Sequence, residues 1–318
     1  MFGLTFLSAT SKTTTHRVVP FRVGSGVAGY VAGGQDSGGK VSGIDKVSFP
    51  SDAKTTLSAT LTTARNQLGG FANSGVAGYV AGGFDTALIS GIDKIAFPAD
   101  TKSTISATLT TALNSPAGFA NSGVAGYVAG GQGSALISDI DKIAFAADTK
   151  TTLSATLTTA RAYTAGFANS GVAGYVAGGQ GSALISGIDK VSFPADTKTT
   201  LSATLTNARA YTAGFANSGV AGYVAGGFGS GFISGIDKVS FPADTKTTLS
   251  ATLTSARETP AGFANSGVAG YVAGGEDSGG KVSGIDKVSF PADSKTTLSA
   301  TLTTARAIAA GFADSGTL

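Results

Sequence analysis

The sequence predicts an all-β chain, a six-bladed β-propeller built of four-stranded antiparallel blades. Three observations lead there. The nonamer GVAGYVAGG, first seen at Gly26 to Gly34, occurs six times without a changed letter. The Gly-Gly pairs that close it, at Gly33/Gly34, Gly82/Gly83, Gly130/Gly131, Gly178/Gly179, Gly226/Gly227 and Gly274/Gly275, are spaced by 49, 48, 48, 48 and 48 residues, a period typical of propellers and solenoids. The chain also holds 47 glycines and only 13% charged residues, a composition suited to short strands and tight turns rather than long helices.

One unit, Thr164 to Ala210, shows the elements in order. The run TAGFANS (Thr164 to Ser170) reads as a first strand, and an Asn-Ser-Gly turn leads to GVAGYVAGG (Gly171 to Gly179) as the second. ISGIDKVSF (Ile185 to Phe193) and KTTLSATL (Lys198 to Leu205) read as third and fourth strands. The connectors are rich in Gly, Ser, Pro, Asp and Asn, which supply positive φ or cap turns with their side chains. Four antiparallel strands in each repeat make a propeller blade. In the second run Val172, Gly174 and Val176 alternate with Ala173, Tyr175 and Ala177, and in the fourth Leu201, Ala203 and Leu205 alternate with Thr200, Ser202 and Thr204. Small residues in the nonamer suggest a strand beside a crowded axis, ended by the Gly pair where side chains would not fit. A parallel β-solenoid also repeats, but its coils are usually shorter and need no hairpin in each unit.

The repeat divides the chain into blades at 18–66, 67–114, 115–162, 163–210, 211–258 and 259–306, with 1–17 as an N-terminal arm and 307–318 as a C-terminal closing strand. Leu4 to Thr10, LTFLSAT, looks like a fourth strand, and Ala309 to Gly316, AAGFADSG, begins like a first one. A ring whose two ends share a sheet leaves no bare edge, so the termini are expected to be neighbours. Because VVPFRVGSG is the most degenerate first-strand copy, the C-terminal segment is a candidate for its place in blade 1. The alternative is half of a seventh blade, completed by another chain.

A strand ending in Gly-Gly, a third strand with a charged dipeptide, and an Arg before the next unit together resemble the kelch repeat of β-propellers. The Arg positions are Arg65, Arg161, Arg209, Arg257 and Arg306, with Leu113 in the remaining unit. The resemblance covers roughly Val18 to Gly316 and departs from the family where Leu57, Leu153 and Leu201 stand in place of its usual Trp. It implies the propeller fold but not the partners of kelch proteins. Such regular, Trp-free repeats are also similar to kelch-like proteins of tailed phages, which implies a virion or extracellular setting. Otherwise a cytoplasmic one is expected, since no secretory signal or membrane-spanning apolar run is apparent.

The ionisable residues come in rings. Asp45/Lys46, Asp93/Lys94, Asp141/Lys142, Asp189/Lys190, Asp237/Lys238 and Asp286/Lys287 form one set; Asp52, Asp100, Asp148, Asp196, Asp244 and Asp293, each with a Lys two residues on, form another. Catalytic carboxylates need unlike surroundings, and six like copies suit cross-strand and turn pairing on solvated faces. Asn73, Asn121, Asn169, Asn217, Asn265 and Asp314 fit the first hairpin turn, with an axial ion or water chain as the other reading. The lone His16 and the absence of Cys argue against a metal site or a thiol nucleophile. The loop GYVAGGQGSA lacks the Gly-Lys-Ser/Thr ending of a P-loop. A formal charge of +3 is too small to suggest nucleic acid. No catalytic, cofactor or metal residues are assigned, and a non-enzymatic chain is expected.

While strands are nearly copied, two connectors vary: the segment after Gly-Gly and the one after the Arg. They place Phe84, Phe228, Phe232, Tyr163, Tyr211, Gln132, Gln180 and Glu276 as candidate interaction residues, the aromatic ones forming an exposed contact surface. The expected function is a rigid interaction or structural module, such as a virion decoration, fibre or receptor-binding protein, with a protein partner or other virion subunits. A multivalent lectin with one weak glycan site per blade is the alternative.

Overall fold

The structure, a computed structural model, describes residues 27–315. It is a six-bladed β-propeller, each blade a four-stranded antiparallel sheet. Blade 4 shows the plan: Ala165–Asn169, Ala173–Ala177, Ile188–Ser192 and Thr197–Thr200 run in order from the axis outward. Blades 2, 3, 5 and 6 follow it from Gly69–Asn73, Ala117–Asn121, Ala213–Asn217 and Ala261–Asn265. Blade 1 is assembled from both ends of the sequence. Its innermost strand is the C-terminal Ala310–Ala313, paired antiparallel with Ala28–Ala32, beyond which lie Ile44–Ser48 and Ala53–Thr56. The C-terminal segment therefore takes the first-strand place in blade 1 rather than starting a seventh blade. Leu4 to Thr10, the VVPFRVGSG copy and His16 lie outside the described residues.

As expected, the nonamer is the second strand, one removed from the axis, and the axis is lined by the AGFAN run. There the glycines decide the spacing, since a Cβ on Gly118 would lie 2.1 Å from the Gly70 carbonyl oxygen of the preceding blade. The Gly pair does sit where side chains would not fit: at Gly130 and Gly131, φ is 66° and 106°, and an added Cβ would press on the Arg161 and Asn114 carbonyls. The fourth strand is shorter than expected. It stops at Thr200, and the chain continues irregularly alongside the third-strand segment, Leu201 N–H donating to Ile188 O and Leu205 N–H to Ser186 O, while Leu205 itself is buried. The chain leaves the sheet because Thr206 is drawn to Asp237 of the next blade.

Alternation along the second strand serves two blades at once, and so Ala173–Ala177 is buried throughout. Gly174 faces the preceding blade, where its missing Cβ would lie 2.0 Å from the Phe119 ring. Tyr175 faces the following one, in a three-ring cluster with Phe167 of its own blade and Phe241 of blade 5, each at 5.2 Å from it. The apolar core is accordingly a set of clusters lying between blades: one joins Phe167, Tyr175 and Leu205 of blade 4 and its outgoing segment to Val224, Val239 and Phe241 of blade 5. No blade buries its own faces alone.

The Asp and Lys rings turn out to be staples between blades, where pairing on solvated faces was expected. Asp189 is 1% exposed. Its Oδ1 accepts from Thr200 of its own blade and from Thr158, and its Oδ2 accepts from the Thr158 N–H at 2.9 Å and from Arg161 Nη2 at 3.0 Å. Thr158 and Arg161 lie on the segment arriving from blade 3, so each such Asp fastens that segment to its new blade. The second ring works at the far end. Asp244, held at φ 50° in the turn before the fourth strand of blade 5, accepts from Tyr175 Oη at 2.9 Å and from Lys190 Nζ at 2.6 Å, both in blade 4. The series closes where Tyr271 and Lys287 of blade 6 reach Asp52 of blade 1 at 2.8 and 2.6 Å.

The hairpin-turn asparagines also reach across, where a partner within their own turn was expected. Asn121 Oδ1 accepts from the Gly171 N–H of the next blade at 3.0 Å, and Asp314 does the same for Gly75 at 2.9 Å.

Candidate interaction face

The two ends of the propeller differ in how strictly their residues are copied. One end carries the Asn-Ser-Gly hairpins, with Val76, Val124, Val172, Val220 and Val268 exposed in identical positions beside Val27. The other end gathers both variable connectors. The residue after each Gly-Gly forms an antiparallel bridge with the residue after the Arg or its replacement Leu113: Gln35 with Ala307, Phe84 with Asn66, Gln132 with Asn114, Gln180 with Ala162, Phe228 with Ala210, and Glu276 with Glu258. Segments 18 residues apart in sequence, or at opposite ends of it, thus form one band of variable residues.

Inside that band lies a collar. Gln67, Ser115, Tyr163, Tyr211, Thr259 and Ile308 each hold φ between 54° and 61°, the left-handed region. The N–H of each donates to the carbonyl of the preceding copy: Ser115 to Gln67 at 2.7 Å, Tyr163 to Ser115 at 2.9 Å, Tyr211 to Tyr163 at 2.8 Å, Thr259 to Tyr211 at 2.7 Å, Ile308 to Thr259 at 3.0 Å, and Gln67 to Ile308 at 2.9 Å. These bonds run in a closed circle around the axis. The left-handed turn is what aims each N–H at its neighbour instead of at its own sheet.

The candidate residues divide between band and collar. Tyr163 and Tyr211 stand side by side in the collar with ring centroids 4.2 Å apart, and Gln67 Nε2 lies 3.5 Å from Tyr163 Oη. Burial, followed by the neighbouring Tyr163 and the Glu258 carboxylate, pushes the Tyr211 phenol up to about 12. Phe228 and Phe232 meet edge to face at 5.5 Å in blade 5, while Phe84 sits in blade 2, across the ring, with Lys40 Nζ 4.4 Å above its ring. The expected single exposed aromatic surface is corrected on two counts: these five side chains are half-buried, and blades 2 and 5 are opposite. Gln132 is exposed; Gln180 is half-buried, its Nε2 donating to Gly181 O at 3.1 Å. Glu276 lies beside Glu258, whose carboxyl is raised by burial and then by that second carboxylate.

Sequence reasoning missed Gln67, Ser115, Thr259 and Ile308 as collar members. Their common offset from the Arg position was a usable signal, but nothing in a Ser, Thr or Ile announces a left-handed backbone. Among the described residues, no group of three or more His, Asp or Glu side chains is placed to hold a metal ion. No helix there is long and apolar enough to cross a membrane. No family model matches the chain, and no curated protein matches it in sequence.

Proposed function

We propose that the protein is a non-enzymatic, rigid interaction module that takes a protein partner on the face formed by the variable band and collar. The observation that supports this is the contrast between the two ends: scaffold residues are repeated nearly letter for letter, while the residues free to differ are collected at one end of the ring. Conserved staples fix that face in place, so partner binding needs little ordering of the chain. Half-buried aromatic rings at Phe84, Phe228, Phe232, Tyr163 and Tyr211 give it contact area with few rotamers to freeze.

The kelch-like pattern of Gly-Gly strands and segment-ending arginines fits a module of this kind. Its setting is a virion surface, as a decoration, fibre or receptor-binding subunit. Hydroxyl-radical footprinting of the native assembly tests both statements. Protection of the Phe84, Phe228 and Tyr211 positions with the valines of the opposite end unprotected supports the reading; protection of the valine end instead, or recovery of the protein only as a free monomer, overturns it. A lectin with six like sites draws less support, because the aromatic residues of the band occur in only some blades.

A further inference from the structure

The collar has a feature that its scaffold role leaves unexplained. A left-handed backbone is strained in any L-amino acid with a Cβ, and glycine avoids that strain. This sequence uses 47 glycines and places them freely at other positive-φ sites. Yet none of the six collar positions is glycine, and two are β-branched, Thr259 at 54° and Ile308 at 59°. A residue held there at conformational expense points to a use for its side chain. The collar positions also differ among themselves more than the strands do, so the side chains are not simply inherited copies.

Those side chains surround the axial mouth, a cavity of about 70 Å³ open to solvent. No charged residue lines it. On one side stand the Tyr163 and Tyr211 rings, with the hydroxyl-bearing Ser115, Thr164 and Thr212; on the other stand Ile308 and Leu68. Ser115, Thr164 and Thr212 are 7%, 8% and 9% exposed, and their hydroxyl oxygens have no hydrogen-bond partner. A buried hydroxyl left unpaired is destabilising, so three in one wall mark a place prepared for a polar occupant. Inward, the mouth leads to a second small cavity lined by first-strand glycines, among them Gly70, Gly118, Gly166 and Gly214; the mouth itself is large enough to take only the edge of an occupant.

We infer that the axial mouth is a saccharide site, one per chain, which takes the edge of a single neutral pyranose. The tyrosines supply a face for the C–H side of the sugar ring, the wall hydroxyls meet its hydroxyl groups, and no charged side chain lines the mouth to favour an acidic or basic ligand. The site is distinct from six like sites between blades and independent of the protein-partner reading: sugar binding can fail while the footprint holds, and the reverse.

The test uses the full chain and four probes, the methyl glycosides of glucose, galactose, mannose and N-acetylglucosamine, by saturation-transfer NMR and calorimetry. At least one probe should bind with one site per chain. Tyr163→Ala or Tyr211→Ala should weaken that probe about tenfold or more, about 1.4 kcal/mol, and Val172→Ser at the opposite end should leave it unchanged. Because the alanine variants can disturb the collar, the near-isosteric pair Thr164→Val and Thr212→Val is read alongside. It should raise the melting temperature, by removing unpaired hydroxyls, and lower the affinity. Absence of binding by all four probes, six sites per chain, or an affinity indifferent to both the tyrosine and the threonine variants overturns the inference.

Discussion

At the scale of residues, the buried aspartates fasten each blade to the segment arriving from the one before, and the array contains its own control. Asp189 meets Arg161, whereas Asp141, at the corresponding place in blade 3, meets the Thr110 and Thr152 groups and Lys150 at 3.7 Å but no guanidinium, because Leu113 stands where the Arg would be. Asp189→Asn strands a buried guanidinium and should cost about 3–5 kcal/mol, while Asp141→Asn strands none and should cost about 1 kcal/mol. Urea unfolding of the two variants checks the difference. The same groups set a pH window. Burial would raise the carboxyls of Asp45, Asp93, Asp189, Asp237 and Asp286, but hydrogen bonds from threonine and the nearby arginine outweigh it and hold them low. Their contribution is full above the unfolded carboxyl value of about 3.9 and disappears as pH falls through the lower folded values. The tyrosines of the second strands, Tyr30 through Tyr271, are raised by burial and by their aspartate partners. The neutral phenol is therefore favoured by the fold, and stability declines once pH passes the unfolded value of about 10. Denaturant midpoints measured across pH should show a plateau bounded near those two values, with the acid edge steep.

At the scale of elements, glycine has two separate duties that substitution can tell apart. In the innermost strand a Cβ on Gly166 would stand 2.3 Å from the Gly118 carbonyl oxygen, backbone against backbone, so Gly166→Ala forces two blades apart. In the hairpin turn Gly171 has open space around it and needs only its positive φ of 81°. Gly166→Ala should cost 3 kcal/mol or more, at or above the upper end of about 1–3 kcal/mol for overpacking, and Gly171→Ala about 1–2 kcal/mol. Thermal melts of the pair rank them. The strands themselves were legible in the sequence, because alternation and turn residues act within a few positions of each other. The early end of the fourth strand was not, since Thr206 is drawn off by an Asp about 31 residues ahead in another blade. For the same reason the Asp and Lys rings were visible as rings, yet their partners were not: a repeat shows what each unit contains and is silent on which neighbour it grips. The candidate site was legible in part. Two variable connectors were found separately, and only the fold joins them into a band, with the collar inside it.

At the scale of the whole molecule, the number of blades followed from counting Gly-Gly pairs, whereas the way the ring closes depended on which terminus wins one strand position. The structure gives it to the C-terminal strand, which stacks Phe312 on Tyr30 at 5.2 Å and brings Gly311 against Gly262 on one side and Gly70 on the other, continuing the axial glycine contacts around the circle. A closed ring explains why both faces of each blade are apolar, why the collar bonds form a complete circle, and why one end face is held rigid enough to present variable residues. The absence of native cysteine makes that closure directly measurable. Ala32 and Ala310 are cross-strand partners in blade 1, 278 positions apart in sequence. Oxidation of the Ala32→Cys, Ala310→Cys double variant should give a disulfide within a single chain, seen as a monomer of altered mobility on non-reducing electrophoresis. Covalent dimers, or two thiols that stay free, would contradict closure by the chain's own C-terminal strand.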